Sequence, residues 1–440
     1  MKKAKYIFLF FTALGFSQNK ITLEECYEKA RENYPAIKQY DLITKAENYT
    51  LDNLSKIFLP QISFNAQASY QTDVTKLTLK DNIKELLNQL PEKIDPSQFV
   101  ETMSKDQYKA YVEATQVIYD GGQTKAGKNA ARATSEVEKQ KLEVNLYAIR
   151  EKINQLYFGI LLLDEQEKQL DEYYENLSAI QKTAESALKN GVAMQSDLDL
   201  VNVEILSLDQ KKIELKSAQN ACLTMLSIFI HEKLNENTEF EKPDDGSETS
   251  NSINRPEIQL FEKQRSLYEA QKETITAKNR PTLGLFVQGG YGRPGLNMLN
   301  PDFAPYAIGG VKFTWNFGNL YTKKNDLSLI ENNFNILNIQ EETFRFNTNL
   351  EMEKLRPEIE KFQKLMEKDD KIVKLRTQVK KSSQSKYDNG VYQMKDLISD
   401  INAENIAKQI KSTHYIQYLQ SLYDLKYTNG DYKIFENLEK

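Results

Sequence analysis

After Pro60 the chain reads QISFNAQASY, an almost faultless alternation of apolar and polar residues. After Pro281, 221 residues on, it reads TLGLFVQGGY. In the first copy Ile62, Phe64, Ala66, Ala68 and Tyr70 share one face, and Gln61, Ser63, Asn65, Gln67 and Ser69 share the other. This is the period of two that marks a half-buried strand. The same offset pairs Ile62 with Leu283, Phe64 with Leu285, Gln67 with Gln288 and Tyr70 with Tyr291, and upstream it pairs NYPAI (33–37) with NRPEI (254–258). Proline before and after a helical stretch is ordinary punctuation. Finding it twice means that whatever fold the first half takes, the second half repeats.

A second strand follows in each half. QYKAYVEATQVIYDGG (107–122) alternates through Tyr108, Ala110, Val112, Ala114 and Ile118. YAIGGVKFTWNFGN (306–319) alternates through Ala307, Val311, Phe313, Trp315 and Phe317. Each strand passes through glycine into a long charged stretch almost free of breakers. Residues 123–188 hold no proline and two glycines, and residues 320–386 hold no glycine and only Pro357. A helix of that length would span roughly 100 Å at about 1.5 Å per residue. Pro357 is expected to kink or break the second one. Each ends at an Asn-Gly, in LKNGVAMQSDLDL (188–200) and YDNGVYQMKDLIS (387–399), and turns into a second helix. Apolar spacing through Leu198, Val201, Ile205, Leu208 and Leu215 predicts helix-on-helix packing there.

The domain reading follows. Residues 1–17 are a signal peptide. Residues 18–232 form a first repeat, with strands at about 60–72 and 107–119 and a helical hairpin at about 123–232. Residues 233–253 are a polar surface linker. Residues 254–428 form a second repeat, with strands at about 281–292 and 305–317 and a hairpin at about 319–428, and 429–440 are a tail. The signal assignment rests on MKKAK, the short apolar core of Tyr6 to Gly15, and small residues near Ser17. No other run of apolar residues is long enough to cross a bilayer as a helix. Cys26 and Cys222 could form one disulfide. His231 and His414, with no ligand spacing around them, read as helix-surface residues, so neither a metal nor a cofactor is expected. Acidic and basic residues alternate as solvated helix faces do. The glycines of GGYGRPG (289–295) end a strand and open no helix. An enzyme is therefore not expected, nor is binding to nucleic acid.

The strands themselves pose the functional question. Gln61, Ser63, Asn65, Gln67, Lys109, Glu113 and Thr115 are too polar to pack in a protein core, and aromatic residues gather near the strand ends. Apolar outward faces, a polar inner face and aromatic girdles are the pattern of a membrane barrel. Four strands cannot close one, and bare edges are not tolerated in hydrocarbon, so several chains must pool their strands. Ile62, Phe64, Leu283, Leu285, Phe313 and Trp315 are the expected lipid-facing residues. The alternative is a soluble periplasmic coiled-coil scaffold or adaptor.

The whole order of helix, two strands and helical hairpin, given twice, resembles the outer membrane efflux protein family, the TolC-like channels. ITLEECYEKARENYPAI (21–37) looks like the family's opening helix, and GVAMQSDLDLVNVEI and GVYQMKDLISDINAE look like its hairpin repeats. The resemblance implies a mixed α+β membrane protein in the outer membrane of a Gram-negative bacterium. Three chains would give a twelve-stranded barrel and a periplasmic tunnel of long hairpins, serving as the passive exit duct of a tripartite efflux or type I secretion system. It implies a periplasmic membrane-fusion adaptor, an inner-membrane efflux or ABC transporter and outer-membrane lipid as partners. Adaptor contacts would fall at the hairpin tips, Asn190, Gly191, Val192, Asn389, Gly390 and Val391. Asp396 matches the first constricting aspartate of the periplasmic gate; Ser399 stands at the second, with Asp400 adjacent. Asp197 and Tyr387 match the inter-hairpin latch, and Tyr392 stands where the family has an arginine. Asp197 and Asp396 also suit helix N-termini as capping acids.

Overall fold

The structure is a computed structural model that describes residues 20–74, 80–89, 104–245, 252–298 and 300–431. The expected signal peptide, residues 1–17, and nearly all of the expected tail lie outside the described residues. In chain order the elements are α1 (Leu23–Asn33), α2 (Gln39–Ser55), β1 (Gln61–Tyr70), α3 (Asp81–Asn88), β2 (Asp106–Tyr119), α4 (Gln123–Lys189) and α5 (Gln195–Ile230). There follow α6 (Pro256–Lys278), β3 (Thr282–Arg293), β4 (Ala304–Thr314), α7 (Asn319–Asp388) and α8 (Met394–Asn429). The chain divides into a sheet unit (Asp41–Lys139, Phe261–Asn338) and a helical unit made of the described parts of Met1–Tyr40, Gln140–Leu260 and Ile339–Lys440. Helices α4 and α7 contribute to both.

In the sheet unit the four strands form one antiparallel sheet in the order β1-β2-β3-β4. Ile62 pairs with Ala114, Phe64 with Val112 and Ala66 with Ala110. Ala114 in turn faces Val287 and Ala110 faces Tyr291, while Leu285 pairs with Val311 and Leu283 with Phe313. Register therefore keeps these apolar residues on one face, as it must when side chains alternate. Strands β1 and β4 are left as open edges. A bulge between Val117 and Tyr119 ends the regular β2–β3 ladder at the helical end. Strand β4 stops at Thr314, so Trp315 and Phe317 fall just beyond it rather than within it. Trp315 donates its indole N–H to the Asn279 carbonyl at 3.2 Å, and its ring packs on Phe317. The long β1–β2 connection is not all loop, since it contains α3.

In the helical unit, α1 starts with a reciprocal cap. Thr22 Oγ1 accepts from the Glu25 N–H at 3.2 Å, and Glu25 Oε2 accepts from the Thr22 N–H at 3.1 Å. The linker after α5 is less peripheral than its composition predicts. Ile21 pairs with Phe240 in a parallel bridge, Phe240 is buried, and the buried Tyr157 hydroxyl reaches the Ile21 and Glu241 carbonyls at 2.8 and 2.7 Å. Arg255, paired with Glu257, lies over the rings of Tyr147, Phe344 and Tyr427. Helix α7 runs unbroken through Pro357. A missing N–H costs one backbone bond, and the surrounding turns continue the helix. His414 is not a bare surface residue: its Nδ1 lies 2.7 Å from the buried carboxylate of Asp369. Cys26 and Cys222 are both free, and burial pushes the Cys26 thiol up to about 12, far from a reactive thiolate. Among the described residues no helix is long and apolar enough to cross a membrane.

Candidate functional site

The two faces of the sheet differ in chemistry and in curvature. On the apolar face Ile62 is 74% and Phe64 72% exposed, and Val287, Val311 and Phe313 are exposed beside them. None of the described residues covers this surface, although soluble proteins bury a patch of this kind. The opposite face carries Ser63, Asn65, Gln67, Lys109, Glu113, Gln288 and Lys312.

Glycines report the bend. On the polar face a Cβ added at Gly290 would lie 2.6 Å from both the Ala110 carbonyl oxygen and Tyr111 Cβ. At Gly284 and Gly292 it would lie 2.9 Å from the neighbouring strand's backbone. On the apolar face a Cβ at Gly289 would meet nothing within 4 Å, and one at Gly309 would find ordinary contact at 3.5 Å. A sheet crowded on one face and open on the other curves toward the crowded one. The polar face is thus the concave side. Tyr111 covers Gly290 and the Phe286 ring covers Gly310, aromatic cover that compensates for missing side chains. Sequence alternation finds the faces, but it does not find this sign of curvature. The run of glycines at 284, 290 and 292, all of one parity, was the available signal.

The expected lipid-facing residues Ile62, Phe64, Leu283, Leu285 and Phe313 share the convex face. Trp315 sits beyond the strand at the helical rim. Gln116 falls on the same face at that rim, where its amide donates to the Phe58 carbonyl at 3.3 Å.

The two hairpin tips are built alike. Gly191 and Gly390 take φ of +69° and +70°, a left-handed conformation that costs glycine little. Val192 N–H bonds Ala187 O and Gly191 N–H bonds Leu188 O, each at 3.0 Å. In the second tip Val391 N–H bonds Lys386 O and Gly390 N–H bonds Tyr387 O, each at 2.9 Å. Both are Schellman caps. They leave Val192 and Val391 pointing into solvent, 79% and 74% exposed, with Asn190 and Asn389 beside them.

Above the tips, a buried cluster joins α4 (Leu170, Leu177, Ile180), α5 (Val201, Leu208, Leu215) and α8 (Met394, Leu397, Ile401), with Tyr387 packed at its margin. Tyr387 and Asp197 are brought near each other. Burial first, and then the negative charges of Asp197 and Asp388, raise the Tyr387 pKa above its ordinary value. Asp197 also caps α5, its Oδ2 accepting the Met194 N–H at 3.1 Å. Asp396 occupies the equivalent place in α8, but no such side-chain cap forms there. Tyr392 and Asp400 do not bridge to the first hairpin. Asp400 Oδ2 accepts from Ser383 Oγ at 2.5 Å and from the Tyr392 hydroxyl at 3.4 Å, all within the second hairpin. Ser399, not Asp400, is the exposed residue at the second constriction position.

In this region α7 adds no fully buried apolar side chain to the cluster; its buried residues are Asp369 and Ser383. Its attachment to α8 includes Asp369–His414, Ser383–Asp400, Lys411–Asp370 and a pair in which Lys380 meets the buried Glu404 carboxylate at 2.6 Å while Thr377 donates to it at 2.7 Å. Burial alone would raise the Glu404 pKa, but the bonds from Lys380 and Thr377 outweigh it and hold the carboxyl below its usual range. Neither the Glu404 pair nor the Ser383 bond was legible in the sequence, where these residues look like surface charges. A groove of about 320 Å³ lies between α4 and α7, lined by Asn176, Thr183, Lys381, Gln384 and Tyr387.

The chain thus combines a two-faced four-stranded antiparallel sheet with two long helical hairpins. Residues 26–227, from within α1 through most of α5, match the family model described as outer membrane efflux protein. The fold likeness extends over nearly the whole chain. The outer membrane protein VceC from Vibrio cholerae aligns with a TM-score of 0.62 at 13% identity, covering 93% of this chain and 96% of that one. The Campylobacter jejuni CmeC outer membrane channel gives 0.61 at 14% identity, covering 93% and 85%. The open state of the Neisseria gonorrhoeae MtrE outer membrane channel gives 0.63 at 13% identity, covering 93% and 88%. No curated protein sequence matches the chain significantly.

Proposed function

We propose that three copies of the chain pool their strands into one twelve-stranded barrel in the outer membrane and continue it with their hairpins into the periplasm. The assembly is the passive exit duct of an efflux or type I secretion pathway. The observation that carries this reading is the sheet: an uncovered apolar convex face, a polar concave face and two unpaired edges. Hydrocarbon satisfies the first, water the second, and only strands of further copies satisfy the third. The hairpin tips, with exposed Val192 and Val391 beside Asn190, Gly191, Asn389 and Gly390, would meet a periplasmic membrane-fusion adaptor, which links the duct to an inner-membrane pump. Asp396, whose side chain caps nothing, would face its two copies at the narrowest point, with Asp197 and Tyr387 as the contact that keeps the hairpins closed. Asp400 and Tyr392 support this gate from within the second hairpin.

The test is to fractionate cells and reconstitute the detergent-purified protein in planar bilayers. A heat-labile trimer from the outer-membrane fraction, with stepwise conductance, is the expected result. Recovery of the mature protein in the detergent-free periplasmic extract would favour the soluble-scaffold reading and end this one.

A further inference from the structure

On the loop side, the convex face ends in a cluster that export itself does not need. Tyr108 and Arg293 oppose each other in the β2–β3 ladder, and Tyr291 lies two residues back along β3, so all three share the apolar face. The β3–β4 connection brings Phe303 among them. Its ring is stacked at 6.1 Å from Tyr108 and 5.7 Å from Tyr291. The Arg293 guanidinium lies 5.9 Å from the Phe303 ring centre, and its Nε donates to the Pro301 carbonyl at 2.9 Å. A ring on one side and a carbonyl on the other fix the plane of the fork. Both terminal NH₂ groups are left with no hydrogen bond or ion pair among the described residues. All three rings are exposed, Tyr108 at 44%, Phe303 at 46% and Tyr291 at 54%.

A held guanidinium with two free NH₂ groups is shaped for a phosphate, which it can grip with two parallel hydrogen bonds. What singles out the source of that phosphate is the surroundings. A free anion would have no use for three exposed aromatic rings, or for the apolar band of Ala110, Val112 and Val287 that continues from them along the same face. A molecule with an anionic head and acyl chains matches both parts. From this placement we infer that Arg293, with Tyr108 and Phe303, binds the headgroup phosphate of an outer-leaflet lipid whose chains lie along β2 and β3. The inference rests on the lipid-facing assignment made under Proposed function and adds a specific anionic-lipid site to it.

The experiment uses the full-length, detergent-purified and delipidated protein. Native mass spectrometry counts retained molecules of lipid A, of its dephosphorylated form, and of lipid A in the presence of excess inorganic phosphate. Wild type should retain lipid A about tenfold better than the dephosphorylated form, as expected of a charge-assisted bidentate contact. Arg293→Gln should abolish that preference, and Arg293→Lys should keep part of it. Conductance in bilayers should be unchanged in both variants, which shows that they fold and assemble. Equal retention of the two lipids by wild type, or an undiminished preference in Arg293→Gln, overturns the inference while leaving the channel intact. Full displacement of lipid A by inorganic phosphate overturns the lipid as the source. A wild-type protein that never inserts into bilayers removes the channel reading and this site together.

Discussion

Gly290→Ala tests the curvature of the sheet at the cost of one methyl group. The new Cβ would start 2.6 Å from the Ala110 carbonyl oxygen and 2.6 Å from Tyr111 Cβ, against a comfortable separation of about 3.5–4.0 Å between carbon atoms. Strand β2 must therefore retreat by about 1 Å where the ladder is tightest. Overpacking of this kind costs about 1–3 kcal/mol per chain. An unfolding entropy of about 2.1 cal/mol/K per residue, summed over 440 residues, is about 0.9 kcal/mol/K. The expected loss is thus about 1–3 °C in melting temperature, with a matching fall in heat resistance of the assembly on gels. Gly289→Ala is the internal control. It lies next in sequence but on the convex face, where its Cβ would meet nothing within 4 Å, and it should melt with wild type. Both variants can be followed by circular dichroism in one detergent. Equal destabilisation of the two, or loss confined to Gly289→Ala, would refute the assignment of the polar face as concave.

Phe64→Lys places a charge at the middle of the convex face and should cost about 2–4 kcal/mol if that face meets lipid, seen as loss of protein from the outer-membrane fraction, whereas Asn65→Lys on the concave face should insert normally. Burial raises the Asp424 carboxyl to about 6 from its usual 3.8. The folded chain therefore holds a proton there that the unfolded chain has released between those values, and stability falls as pH rises through about 6. Asp424→Asn should accordingly melt higher than wild type at pH 7.5 and lose that advantage near pH 4, as read by thermal scans in detergent. Asp197→Ala combined with Tyr387→Phe should raise single-channel conductance; an unchanged value would remove these two residues from the gate.

Alternation and offset made most of the architecture legible. The parity of Ile62, Phe64 and Ala66 fixes which residues share a face, and register then has little freedom. The Asn-Gly turns at 190 and 389 were equally plain, because no residue but glycine suits the left-handed position at so little cost. Local pattern failed where partners come from far along the chain. Phe240 looks like an isolated residue in a polar linker until Ile21, more than two hundred positions away, pairs with it. Glu404 and His414 read as solvated helix charges because nothing near them in sequence marks Lys380 and Asp369 as their partners. Trp315 continues the alternation of β4 on paper, but the strand ends one residue earlier and the indole turns to Asn279 instead. At the gate, the neighbouring position of Asp400 invited its use as a substitute aspartate, and only the geometry commits it to Ser383.

The two hairpins share a turn but not an adhesive. Near its tip the first is closed by Val201, Leu208 and Leu215 packed against α4, with ion pairs such as Lys212–Asp171 at the margin of that apolar seam. In the second, α7 is held to α8 by a carboxylate–imidazole contact, a hydroxyl–carboxylate bond and a buried lysine–glutamate pair. Heating is the stress the first seam feels. Acid is the stress the second one feels, because the Glu404 carboxyl, held below its usual range by Lys380 and Thr377, gives up that stabilisation as pH falls through its folded value.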